Sequence, residues 1–286
     1  MEKTLVIKLG YRGAEFCGYA EQPGLRTVAG ELRRALETAL RRPVELTCAG
    51  RTDAGVHALA QYVSLPVSSE ELVACGPRLQ RMLTALTPED IAIKALYQAE
   101  AGFSARFDAQ ARGYRYRIAC GDAACPVLGW GHVWWLRSGA NLDAQAMHEA
   151  AQCLVGEHDF MSFCKVSSAE AIRADGRSTS RYLAEVSVSR VIEAGEELVA
   201  IDVVGNAFLH NMVRAITGTL VEVGQGRRDA AWVARALEAC DRKAAGPTAP
   251  ACGLTLERVD YAAGSLVKME TPTFSGEKPN SGQNPR

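Results

Sequence analysis

Cys48-Ala49-Gly50-Arg51-Thr52-Asp53-Ala54-Gly55-Val56-His57 is a polar, glycine-bracketed stretch between two runs that read as buried strands, Val44 to Cys48 and Gln61 to Val67. Read as strand, loop, strand, it places a short loop at the end of a rigid sheet, where reactive side chains are usually displayed. Gly50 and Gly55 let the backbone adopt positive φ or approach a ligand closely. Asp53 lies between them, two residues from Arg51. A nearby guanidinium favours the ionised carboxylate, so Asp53 is expected to be charged at pH 7 and available as a nucleophile or general base. Taken alone, Arg51-Thr52-Asp53-Ala54 reads first as an ordinary turn, because Asp and Thr beside glycine bond to their own backbone.

Around this loop the chain reads as alternating strands and helices. Thr4 to Leu9 is β-rich and is closed by Gly10, and Tyr11 to Tyr19 is a glycine-punctuated loop. Thr27 is placed to cap a helix whose stripe is Val28, Leu32, Ala35, Leu36, Ala39 and Leu40. A second helix is predicted from about Glu70 to Leu86, then a strand from Ile91 to Tyr97. These elements make a first α/β domain over residues 1–105. The pattern restarts with a strand at Tyr114 to Cys120 and a helix at Leu142 to Leu154. Cys164 to Arg181 reads as a long polar surface loop. Tyr182 to Ser189 and Leu198 to Val204 form a predicted hairpin around Ala194-Gly195. Two helices, Asn206 to Val223 and Ala230 to Cys240, and a strand at Leu254 to Tyr261 close a second domain, 106–268. The composition of 269–286 supplies no core and reads as a disordered tail.

Whole-chain properties narrow the function. No window approaches 18 consecutive apolar residues, and the N-terminus has no leader pattern, which predicts a cytoplasmic protein without a membrane span. Nine irregularly spaced cysteines fit reduced thiols. Cys120 and Cys125 with His132 lack a second ligand pair, so no metal is expected. With 32 basic and 33 acidic residues, any nucleic-acid surface must be local. Arg106, Arg112, Arg115 and Arg117, interleaved with Phe103, Phe107, Tyr114 and Tyr116, suit either an RNA surface or a solvated strand face. Arg214 falls opposite the apolar stripe of its helix, and periodicity alone makes it an ordinary exposed arginine.

The run Ala49 to His57 with Gln61 resembles the catalytic motif of the TruA family of tRNA pseudouridine synthases. Further stretches match in the same order: Gly18-Tyr19 with Thr27-Val28, Phe103 to Phe107, Tyr114 to Tyr116, Gly156 to Phe160 with Ser162-Phe163, and Asn206 to Arg214. The resemblance covers about residues 4–262. It implies an α+β fold of two ferredoxin-like domains whose sheets join across a central catalytic cleft. It also implies a homodimer that needs no cofactor, acting on uridines 38, 39 and 40 of the tRNA anticodon arm. Residue by residue, it makes Asp53 the catalytic aspartate and Tyr114 the ring against the target base. Arg51 becomes the arginine that helps extrude the uridine, and Arg214 becomes the partner of the catalytic carboxylate, displacing the exposed-arginine reading. Phe103, Ser104, Ala105, Arg106 and Phe107 match a tRNA-contacting segment. Ser167 and Ser168 lie where the family again touches RNA, in a loop that is longer here. The chain departs from the family's Tyr-Asp-Gly and Gly-Trp at Tyr11-Arg12-Gly13 and Gly18-Tyr19. Three routes remain open for Asp53: addition to uracil C6, attack on ribose C1′, or removal of the C2′ proton.

Overall fold

The computed structural model describes residues 1–121, 125–127, 129, 131–137 and 141–269. Of the expected tail, all but Met269 lies outside the described residues.

The first half runs β1 (Glu2–Tyr11), α1 (Val28–Leu40), β2 (Thr47–Cys48), β3 (His57–Ser68), α2 (Ser69–Leu86) and β4 (Ile91–Ala99). β1 lies between β3 and β4, antiparallel to both, and Leu5, Val6, Ile7 and Leu9 are fully buried. Such a strand has to be apolar on both faces. Thr27 caps α1 by accepting a hydrogen bond from the Gly30 N–H. Val28, Leu32, Ala35 and Leu36 of its stripe are buried. α2 opens with a reciprocal capping box between Ser68 and Glu71. Only Thr47–Cys48 of the Val44 to Cys48 run pairs as a strand, beside β3.

The second half runs β5 (Ala109–Ala119), β6 (Trp134–Trp135), α3 (Ala144–Ala151), β7 (Gly156–Asp159), α4 (Val166–Ala174), β8 (Ser180–Glu193), β9 (Glu196–Gly205), α5 (Met212–Gly224), α6 (Ala231–Glu238), β10 (Leu254–Tyr261) and β11 (Val267–Lys268). β8 and β9 form the expected hairpin, turning through Ala194 (φ 51°) and Gly195 (φ 82°). Two consecutive positive φ values match the twist of the flanking strands. The polar 164–181 segment is not the open loop its composition suggested. It contains α4, held to the core by buried Ala169 and half-buried Ile172. α5 begins at Met212 rather than Asn206, because Asn211 takes a left-handed conformation (φ 65°) and ends a preceding turn.

One sheet of eleven strands carries both halves, in the order β11-β4-β1-β3-β10-β5-β9-β8-β7, with β2 and β6 at its margins. The halves meet at β3 and β10, which pair in parallel over two rungs, His57 with Thr255 and Ala58 with Leu256. Among the described residues no helix is long and apolar enough to cross a membrane, and the nine cysteines are free thiols.

His57, at this seam, is buried, its Nδ1 accepts from the Gly13 N–H at 3.0 Å, and its ring centroid lies 4.5 Å from that of His132. Burial first, and His132 second, push its pKa down to about 4. A histidine held neutral in the fold but basic when unfolded makes the unfolded state bind more protons between these two pKa values. Its contribution is therefore intact near pH 7 and is lost as pH falls, by about 2 kcal/mol at pH 5 and about 3 kcal/mol at pH 4. His57→Asn, which keeps an acceptor for Gly13, should remove that part of the acid sensitivity. Urea unfolding of both proteins at pH 7 and pH 5 checks this, and parallel losses of stability would rule it out.

Candidate active site

The loop before β3 is fixed from several sides, so its carboxylate is presented in one place. The Gln61 amide donates to Gly50 O at 2.6 Å, and the Ala49 N–H donates to Tyr62 O at 2.8 Å. Tyr11 Oη and Thr52 Oγ1 are 2.7 Å apart, and the Tyr19 N–H donates to Thr52 O at 3.0 Å. The Val56 N–H closes the turn onto Asp53 O at 3.1 Å. Gly18, at φ 93°, lies so close beneath that a Cβ there would stand 3.1 Å from Thr52 O and 3.3 Å from Ala54 N. Tyr19 is buried behind the loop, 6.5 Å from the Tyr11 ring, whereas Arg12 is exposed.

Asp53 stays open to the cleft, its side chain 27% exposed. Arg214 Nη1 lies 3.3 Å from Oδ2, and His210 Nε2 lies 3.3 Å from Oδ1. Among the described residues these are the basic groups within 4 Å of Asp53. The loop's own residues suggested Arg51 as a neighbouring charge, and the family resemblance gave Arg214 as the carboxylate's partner. Arg51 is exposed, and the second half supplies Arg214 and His210 as the neighbours of the carboxylate. Arg214 also donates through Nε to Ala249 O at 2.8 Å and through Nη1 to Asn211 Oδ1 at 2.9 Å. The face of α5 that periodicity assigns to solvent thus lines the cleft. His210 Nδ1 lies 2.9 Å from Ser168 Oγ in the first turn of α4.

Tyr114, on β5, is buried with its ring edge-on to Phe208 at 5.0 Å. A Cβ on Gly50 would stand 3.6 Å from its hydroxyl. Burial first, then Tyr11 and Asp53, raise the Tyr114 pKa far above its ordinary value, so the phenol is neutral near pH 7. The loop, the aromatic face, Arg214 and the His210 ring meet here from both halves of the chain.

The arginine cluster divides by role. Arg112 is buried and clamps backbone carbonyls of Ala49 (3.0 and 3.2 Å), Ala109 (3.0 Å), Asn206 (2.6 Å) and Arg106 (2.5 Å). Arg115 forks onto Asp202 at 2.8 and 2.9 Å and reaches Glu193 at 2.9 Å. Arg117 bridges Glu193 and Glu257. These three charges are spent within the fold. In the 103–107 segment, Ala105 is buried between Ser64 Oγ and Tyr261 Oη, and Phe103 packs 5.4 Å from the Tyr261 ring. Ser104 Oγ accepts from the Phe107 N–H at 3.3 Å, leaving Arg106 stacked over the largely exposed Phe107 at 5.3 Å. Ser167 is exposed on α4.

Sequence reasoning gave no role to His210 or Asn211. The signal was the short spacing from His210 to Arg214, which lets one helix start grip both carboxylate oxygens. Among the described residues no group of three His, Cys, Asp or Glu side chains is placed to hold a metal ion.

A family model described as tRNA pseudouridine synthase matches residues 150–262. The chain is 40% identical over 257 residues to tRNA pseudouridine synthase A of Aliivibrio fischeri (strain MJ11), covering 90% of this chain and 92% of that protein. The enzyme of the same name from Geobacillus sp. (strain WCH70) is 38% identical, with 91% and 99% covered. That from Streptomyces avermitilis is 39% identical, with 91% and 89% covered. With relatives this similar along nearly their whole length, the chain belongs to the tRNA pseudouridine synthase A family.

Proposed function

We propose that this protein isomerises uridine to pseudouridine at positions 38, 39 and 40 of the tRNA anticodon arm, with Asp53 as the reacting group. The observation that carries this reading is the half-open Asp53 carboxylate, gripped on one oxygen by Arg214 and on the other by His210, beside the neutral Tyr114 ring. The reaction breaks the bond between ribose C1′ and N1, rotates the base and forms a bond from C1′ to C5. A proton leaves C5 and one arrives at N1, so no redox equivalent is needed. Each route open to Asp53, through C6, C1′ or the C2′ proton, uses an ionised carboxylate.

The uridine must leave its stack at a cost of a few kcal/mol, recovered by contacts in the pocket. Tyr114 supplies an aromatic face, and the exposed Arg51, without an ion pair among the described residues, takes the space the base vacates. Arg106 and Phe107 offer a cation and a ring to the RNA backbone and bases, with Ser104 shaping their turn and Phe103 and Ala105 anchoring it. Ser167 and Ser168 approach from α4. Residues 1–105 and 106–268 act as two ferredoxin-like domains. The repeated antiparallel orders β4-β1-β3-β2 and β10-β5-β9-β8 support that reading. The working form is a homodimer in the cytoplasm.

Incubation with unmodified tRNA, followed by site-resolved pseudouridine mapping, tests the proposal. Conversion at 38, 39 or 40 supports it. Release of free uracil would identify a hydrolase of N-glycosidic bonds, and binding without conversion would identify a non-catalytic RNA module. Arg106→Ala is expected to weaken tRNA binding and lower the slope of log K against log salt by about one phosphate contact. An unchanged slope removes Arg106 from the interface.

A further inference from the structure

We propose that His210 is a positioning residue for Asp53, its tautomer fixed by Ser168, so that α4 controls the orientation of the carboxylate. The inference rests on the reading of Asp53 as the reacting group.

The imidazole is caught between two oxygens of different character. Nε2 faces Asp53 Oδ1 at 3.3 Å, and Nδ1 faces Ser168 Oγ at 2.9 Å. A neutral imidazole carries one N–H and one lone pair. The lone pair turned toward an ionised carboxylate would be repelled, whereas N–H in that position donates to it. A serine hydroxyl can donate to Nδ1, and doing so leaves the ring proton on Nε2. The two contacts therefore select one form, Nε2–H donating to Asp53 and Ser168 O–H donating to Nδ1.

The backbone on either side is pinned as well. The Lys165 N–H, just before α4, donates to His210 O at 3.0 Å. Asn211 follows in the left-handed conformation and gives its Oδ1 to Arg214. Position 210 thus has its main chain and its ring both tied to the start of α4. Arg214, tied to Ala249 and Asn211, holds Oδ2. One donor on each oxygen fixes rotation about the bond to the carboxylate, the torsion that is softest in an aspartate. Removing His210 frees that torsion while Arg214 keeps the charge paired, so the loss should fall on the chemical step. α4 also presents Val166 and Ser167 to solvent, so RNA seated there presses on the turn that holds the histidine.

The experiment combines single-turnover kinetics with imidazole NMR. His210→Ala is expected to slow pseudouridine formation about 30-fold with tRNA affinity within about twofold, and His210→Gln, which keeps an N–H donor, to recover to within about fivefold of wild type. Ser168→Ala should slow the wild type about fivefold yet leave His210→Ala unaffected, since coupled residues are non-additive. Long-range 1H–15N spectra should show His210 of the wild type as Nε2–H and a tautomer mixture in Ser168→Ala. The inference is overturned if the wild-type ring is Nδ1–H, if His210→Ala keeps the wild-type rate or loses only affinity, if Gln restores nothing, or if the Ser168 effect is additive. The spectra need no turnover. The expected tautomer in a protein that forms no pseudouridine would overturn the functional reading while leaving the geometry standing.

Discussion

Asp53→Ala is expected to reduce pseudouridine formation by at least about 10⁴-fold, because it removes the reacting group itself. tRNA binding should stay within a few-fold of wild type, since the surfaces offered by Arg51, Arg106 and Phe107 are untouched. The fold should survive too. Arg214 keeps its bonds to Ala249 O and Asn211 Oδ1, so its charge is not left without acceptors. The check is a single-turnover assay on unmodified tRNA with mass-spectrometric detection, run beside a filter-binding titration. Product at the wild-type rate would end the assignment of Asp53, and a collapse of binding would mean the loop recognises RNA rather than transforms it.

Arg214→Ala should produce the next largest effect, a loss of about 10² to 10³-fold in the rate of the chemical step. The side chain does three things at once. It neutralises Oδ2, satisfies Ala249 O and accepts positioning from Asn211. Arg214→Lys returns the charge but not the fork, so it should recover only part of the rate, staying about tenfold or more below wild type. Rates compared with circular dichroism and tRNA affinity separate the catalytic loss from unfolding. Full activity in the lysine variant would mean that charge alone matters and that the bonds to Ala249 and Asn211 do not.

Local signals made much of the architecture legible before any coordinates. Thr27 caps its helix because a side-chain oxygen before an apolar stripe has one obvious partner, and the Ala194-Gly195 pair turns a hairpin in which Gly195 adopts positive φ without steric cost. Asp53 stood out through its glycine brackets and the family resemblance. What stayed hidden depended on partners far along the chain. Arg115 and Arg117 look like an RNA-binding stripe until Asp202, Glu193 and Glu257 arrive on neighbouring strands. α4 escaped because a two-turn helix anchored through Ala169 and Ile172 has too few apolar residues to show a period. Arg214 was misread from periodicity because a helix wall facing an internal cleft is polar in the same way as one facing water. The short spacing of His210 from Arg214 was visible, but their shared hold on Asp53 needs both halves in place.

The two-rung seam has a consequence for synthesis. β10 is the strand laid between β3 and β5, yet it is made after nearly everything it joins. Ribosomes deliver the amino-terminal portion first, so a nascent polypeptide lacking residues 249–261 already owns its aspartate, tyrosine and both gripping side chains. Neither the backbone acceptor for Arg214 nor the strip that docks one portion against the other has emerged at that stage. Closure of the centre therefore waits on the emergence of residues 249–261, which bring the Ala249 carbonyl to Arg214 and lay the joining strand between β3 and β5.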